Sequence, residues 1–303
     1  MKKTRLFAIV ISLFLLGSTA VYAAPSKVPA KGLDAALKAH GYPQDLLGRM
    51  PEDAKQDLFE LNAWYVSHEH GSAYRTDKAN PEAPARSSDS TSPGDVSAES
   101  LANFSHDMTI SKTIPNPTNT EQFFVTYNWT WNYQPDFTLT DQIGIAWGDS
   151  WAIDQLNQTV PYKWSYTAKS SRPCDWQQPN YAPRCYDSNT SRTFTGTDYA
   201  SATPNLGMGF AMDIINGYDA PAPWISSYHY QVESHTGWGR VALIHSVNPP
   251  VPGSGNTNVV GQYFHSQFGC NAALGYSYPH SINVVSCSST TDPGPQLLRT
   301  FNW

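Results

Sequence analysis

The chain has 303 residues, is 40% hydrophobic and only 15% charged, and carries 19 basic residues against 25 acids for a formal net charge of −6. That length accommodates one large domain and something small beside it. The acid excess excludes broad nucleic-acid binding, which needs basic surface to displace counterions, and argues against capture of anionic lipid by charge alone.

The first residues, Met1-Lys2-Lys3-Thr4-Arg5, are basic, and residues 6–16 are apolar except for Ser12. Such a run suits the core of an export signal and is too short for a permanent membrane helix. Val21-Tyr22-Ala23 then offers small or β-branched residues where a signal peptidase reads. Residues 1–23 are expected to be a signal peptide, cut after Ala23 or, as second choice, after Ala24. The mature protein is then secreted or periplasmic. Loss of Lys2, Lys3 and Arg5 leaves 16 basic residues against 25 acids, a formal charge of −9. No later stretch is apolar enough to span a bilayer as a helix, so no transmembrane helix is expected in the mature chain.

Residues 24–68 form the expected helical region. Leu33, Ala36, Leu37 and His40 share one helical face, and Gly41 is a natural stop. Pro51, Glu52 and Asp53 suit the first turn of another helix, and Leu58, Leu61 and Tyr65 continue an apolar stripe. Three short helices bury little surface alone. They either dock on the main domain or act as a pro-region.

Residues 69–103 read as a linker, rich in Ser, Pro, Ala, Asp and Glu and nearly without large apolar side chains. His68-Glu69-His70 stands at its start and reads as a solvated turn.

From residue 104 to 303 the period changes to two. Phe123, Val125, Tyr127, Trp129 and Trp131 alternate with more polar neighbours. Similar runs recur at 139–147, 162–166, 208–214, 228–232, 241–247, 259–266 and 281–287, separated by Gly and Pro turns. Many short strands without alternating helices make the fold class mainly β: an antiparallel β-sandwich, with a barrel as its nearest alternative, preceded by a small α-helical segment. Leu297, Arg299, Phe301 and Trp303 echo the last strand of an outer-membrane barrel, but the strands lack the regular repeat of that architecture.

Four cysteines remain, Cys174, Cys185, Cys270 and Cys287, an even count that suggests two disulfides in an exported protein. The shortest loops favour Cys174–Cys185 and Cys270–Cys287. Their spacings are too wide for the usual paired zinc ligands, and no metal is assigned to them.

Chemistry-bearing residues gather in the last third. If residues 228–235 form one regular strand, His229, Glu233 and His235 share a face and could supply acid–base groups or metal ligands. His229 and His235 would stand roughly 20 Å apart, too far to share one metal on a straight strand. His245 and His265 fall on apolar parities, and pairing of their strands would let them line a pocket. No Gly-x-Ser-x-Gly elbow occurs, and neither Gly207-Met208-Gly209 nor Gly237-Trp238-Gly239 opens a helix as a phosphate loop must. No motif implies a cofactor.

Nine of the ten tryptophans follow residue 103. Trp176, Trp224 and Trp238 lie close to Pro or Gly in expected loops and are the surface candidates, able to stack on sugar rings or enter a lipid interface. The reading that follows is a secreted, non-catalytic binding or effector protein, recognising a cell-surface or extracellular ligand, glycan or membrane, through aromatic loops. The alternatives are a secreted hydrolase, metal-assisted or not, using the histidines above, and a toxin or bacteriocin-like protein released by removal of the helical region.

Overall fold

The structure, a computed structural model, describes residues 30–73, 104–113, 122–132, 140–148, 150–155, 160–170, 174–175, 184–185, 190–220, 228–245, 256–266, 273–277, 281–286 and 291–302. The expected signal peptide, most of the expected linker, Cys270 and Cys287 lie outside the described residues.

Three helices come first: α1 (Ala30–Ala39), α2 (Gln44–Arg49) and α3 (Glu52–Glu60). Strands follow in chain order as β1 (Trp64–Ala73), β2 (Phe104–Lys112), β3 (Phe123–Trp131), β4 (Thr140–Trp147), β5 (Trp151–Ile153) and β6 (Tyr162–Ser170). Next come β7 (Cys174–Asp175), β8 (Arg184–Cys185), β9 (Thr190–Gly196), β10 (Ser201–Thr203), β11 (Gly207–Asp213) and β12 (Gly217–Ala220). The last are β13 (Tyr228–His245), β14 (Asn256–Ser266), β15 (Ala273–Ser277), β16 (Ser281–Ser286), β17 (Thr291–Pro293) and β18 (Leu297–Asn302).

The expected antiparallel sandwich is present. One sheet runs β1-β2-β3-β13-β6-β9, with β5 and β12 also paired to the long strand β13. The other runs β10-β11-β4-β14-β17, with β18 also on β14. The alternation read from residues 123–131 places Phe123, Val125, Tyr127, Trp129 and Trp131 in the core between the sheets. There they meet Tyr263 of β14, whose ring lies 5.1 Å from that of Trp129, and Phe104 of β2, 4.9 Å from Tyr263. The core is therefore built largely from aromatic rings, which bury large areas per side chain.

Rings of that size need space on the facing backbone. Gly237 of β13 provides it: a Cβ there would stand 2.7 Å from the Trp129 ring and 2.8 Å from the Tyr166 Cβ. Gly239 does the same for Phe210, at 2.7 Å.

The helices dock on the outer face of the first sheet. Leu33, Leu37, Leu46, Leu47, Met50 and Leu58 bury against one another and against Phe124, Trp238 and Ala242. Helix α1 ends as expected at Gly41, whose φ of 90° is the left-handed conformation glycine tolerates, with Tyr42 N–H donating back to the Leu37 carbonyl at 3.1 Å. Polar clamps join the helices to the sheet. Arg49 donates Nη2–H to Asp107 at 2.8 Å, and Asp107 is 1% exposed.

Residues 64–73 differ from the sequence reading. Instead of the end of a helix and the start of a linker, they form β1, paired antiparallel with β2 from Trp64↔Lys112 to Ala73↔Phe104. The polar run His68-Glu69-His70 concealed the strand, because an edge strand can carry charge on its outward side. His70 Nδ1 lies 3.0 Å from Asp107, and Arg299 of β18 reaches Glu69 at 3.4 Å. The helical region is thus continuous with the edge of the main sheet, and a cut that released residues 24–100 would remove that edge too.

The short hairpin β7–β8 sets the backbones of Cys174 and Cys185 directly opposite each other. The side chains of both cysteines lie outside the described residues. No helix among the described residues is long and apolar enough to cross a membrane.

Candidate functional site

One lateral edge of the sandwich is closed where β1 approaches β18: Gly71 lies close enough that a Cβ there would stand 2.8 Å from Leu297. The opposite edge opens. Between β6 and β9 of the first sheet and the ends of β4 and β11 of the second lies a cleft of about 590 Å³. Its walls are aromatic and charged: Trp164, Tyr166, Phe194 and Tyr218, with Arg192, Asp198, Asp213 and Asp219.

Strand register positions these groups. Trp164, Tyr166 and Ala168 of β6 pair with Gly196, Phe194 and Arg192 of β9, and all point toward the space between the sheets. Tyr166 and Phe194 stack with centroids 4.7 Å apart and planes 14° from parallel. The Arg192 guanidinium lies over the Phe194 ring, 5.0 Å from its centroid. Tyr166 OH donates to the Asp213 carbonyl, and burial pushes its phenol pKa up, reinforced by the nearby Asp213 charge.

Trp164 is half-buried, as are Phe194 and Tyr218, and its indole lies across Gly196, where a Cβ would meet the ring at 2.3 Å. Its Nε1–H donates to Asp198 Oδ1 at 3.0 Å, so one edge of the ring is held while a face stays open to the cleft. Thr140 donates to the Asp213 carboxylate. Aromatic faces beside carboxylates and a guanidinium are the means by which proteins bind sugar rings: the apolar face of the sugar stacks, and its hydroxyls bond to the charged groups.

The residues singled out from sequence are dispersed. Trp176 and Trp224 lie outside the described residues. Trp238 is 1% exposed beneath the helices, with Lys163 Nζ 5.6 Å from its ring centroid, and cannot meet a ligand there. Its flanking glycines, Gly237 and Gly239, read as a loop but belong to the middle of β13, where they admit core rings.

The shared face expected of Glu233 and His235 is not formed. A bulge between Val232 and Ser234 inserts one residue and reverses the parity of the strand. Glu233 is exposed and His235 is fully buried, its Nε2 2.7 Å from the Ile215 carbonyl. Burial lowers the His235 pKa. His229 pairs through its backbone with Asp219, and its side chain lies outside the described residues.

His245 and His265 do not meet. His245 packs on Trp151 at 5.2 Å, beside the end of β3 that holds Phe123. His265 packs on Trp131 at 4.9 Å, at the other end of the same strand, eight residues or about 26 Å away. His265 Nδ1 lies 2.9 Å from Asp141 Oδ2, and Asp141 also accepts from Tyr263 OH and from the Ser266 N–H. His265 and Asp141 are both fully buried, so this network is structural. Among the described residues no group of three His, Cys, Asp or Glu has metal-binding geometry.

The cleft residues were absent from the sequence reading because Trp164, Phe194 and Tyr218 carry no local mark of exposure.

No protein-family model matches the chain. No curated protein matches it. A solved structure described as "AvmM Catalyzes Macrocyclization in Alchivemycin A Biosynthesis" is similar over 64% of this chain and 87% of its own, at 13% identity and a TM-score of 0.20. At that score the likeness carries no argument about this chain.

Proposed function

We propose that this is an exported, non-catalytic glycan-binding protein whose binding site is the open-edge cleft. The observation that carries the reading is the convergence of Trp164, Phe194 and Tyr218 with Arg192, Asp198 and Asp213 in one cleft. The cleft volume suits a few sugar rings. Three aspartates against one arginine make it unsuited to anionic lipid headgroups, which favours the glycan over the membrane as ligand. Export is supported by the basic start and the short apolar run of residues 1–23.

Co-sedimentation of the mature chain with insoluble polysaccharides, cell-wall polymer and neutral liposomes tests the reading. Pelleting with a polysaccharide or wall polymer, lost on Trp164→Ala, is the expected result. Pelleting only with liposomes, or polysaccharide binding that survives both Trp164→Ala and Phe194→Ala, would overturn it. N-terminal sequencing of the protein recovered outside the cytoplasm checks the signal cleavage after Ala23.

A further inference from the structure

Trp164 and Asp198 form one unit of the aromatic cleft. Both sit over Gly196, where a Cβ would stand 2.3 Å from the Trp164 ring and 2.5 Å from Asp198 Oδ1. The indole Nε1–H donates to that same oxygen at 3.0 Å, so the carboxylate is fixed at the edge of the ring. A carboxylate has about four lone-pair sites on its two oxygens, and this bond uses one of them. Asp198 is exposed, so the rest are open to whatever occupies the cleft.

Charge pairing sets the cleft apart from the rest of the surface. Asp34, Asp45, Asp57, Asp107 and Glu69 each lie within ion-pair distance of a lysine or arginine. Asp198 and Asp213 have no ion-pair partner among the described residues, although both line the cleft. Arg192, the one cation among the described lining residues, lies over Phe194 instead. A sugar ring stacked on an indole carries its equatorial substituents outward at the rim, above the indole edge. A substituent on the Nε1 side therefore comes within reach of Asp198. An ammonium there makes a charge-assisted bond, about twice as strong as that of a neutral hydroxyl. The acid excess of the whole chain draws a cationic ligand in the same direction.

We infer that the cleft selects an amino sugar with a free amine, its ring on Trp164 and its ammonium on Asp198, over the neutral N-acetylated counterpart. Asp198 is then the residue that determines specificity, while the aromatic rings supply affinity common to both sugars. This inference rests on the glycan reading of the aromatic cleft.

Calorimetric titration of the mature protein with β-1,4-linked hexamers of glucosamine and of N-acetylglucosamine tests the inference, at a mildly acid pH that protonates the free amines. Hexalysine serves as a cation without a sugar ring. The glucosamine hexamer is expected to bind about tenfold tighter than the N-acetyl hexamer. That ratio should shrink as sodium chloride is raised, because salt screens exposed charges. Asp198→Asn keeps a carbonyl acceptor for the Trp164 indole but removes the charge, and is expected to bring the ratio to about one by weakening the glucosamine hexamer. Equal affinities in the wild type, a ratio indifferent to salt, or a ratio that survives in Asp198→Asn would each overturn the selectivity while leaving the cleft as a glycan site. Hexalysine binding as tightly as the glucosamine hexamer would overturn the sugar assignment in favour of a site for cations in general. Absence of binding by both sugar hexamers, together with failure of polysaccharide co-sedimentation, would overturn the glycan reading and this inference with it.

Discussion

Arg240 donates Nε–H to Asp57 Oδ2 at 2.6 Å, with the two side chains 2% and 8% exposed. The bond joins α3 to the middle of β13, 183 residues later in the chain. Lys163 adds a second cation to Asp57 at 3.3 Å, and the Arg240 guanidinium lies 5.7 Å from the Phe124 ring centroid. The helical layer is thereby held to the sheet by a desolvated ion pair as well as by apolar contact.

Asp57→Ala leaves Arg240 buried beside Lys163 without their shared carboxylate. The expected cost is about 3–5 kcal/mol, read as a lower urea midpoint. The double variant Asp57→Leu/Arg240→Met should recover most of that loss, because a buried ion pair replaced by apolar groups of similar volume is close to neutral. A single variant as stable as the wild type would mean that the helices are only loosely seated.

Acid should weaken the fold through His106. Its ring is fully buried against Phe104, its Nδ1 bonds to Tyr127 OH, and burial lowers its pKa to about 4. The unfolded chain takes up this proton near the ordinary value of about 6.5, before the folded chain does. Stability is therefore complete above about pH 6.5 and falls as the pH drops toward 4, by about 3 kcal/mol from this group. His235, also lowered by burial, acts in the same direction. Urea midpoints measured across that range should show the slope, and His106→Leu should reduce it.

Gly237→Ala tests the packing of the aromatic core. The added methyl would press on Trp129 and on Tyr166 at once, inside a layer with no room to yield. A loss of about 1–3 kcal/mol is expected, with a changed near-ultraviolet circular dichroism from the displaced rings. An unchanged spectrum and midpoint would show that the backbone shifts freely here.

Gly196→Val tests the cleft at its Trp164 wall. The new side chain would occupy the space over which the Trp164 indole lies. Glycan binding should fall at least about tenfold, with a loss of stability of about 1–3 kcal/mol, because the clash displaces a half-buried ring that packs against the core. Retained binding would exclude Trp164 as the stacking ring.

Period-two alternation alone is enough to mark β3, β4 and β14 and to name the mainly β, antiparallel sandwich, because successive strand residues point to opposite faces and the largest apolar side chains gather on the face between the sheets. The same local signals place helices within residues 24–68, through Gly41 and through the acids after Pro51, and the structure forms them between Ala30 and Glu60. What local pattern does not contain is which strands become neighbours. Only pairing shows that β1 is an edge strand, that the bulge in β13 parts Glu233 from His235, and that Trp238 lies beneath the helices while Trp164 faces an open cleft. Alternation is set within one strand, whereas exposure of a ring and assembly of a site depend on side chains contributed by strands far apart in the chain.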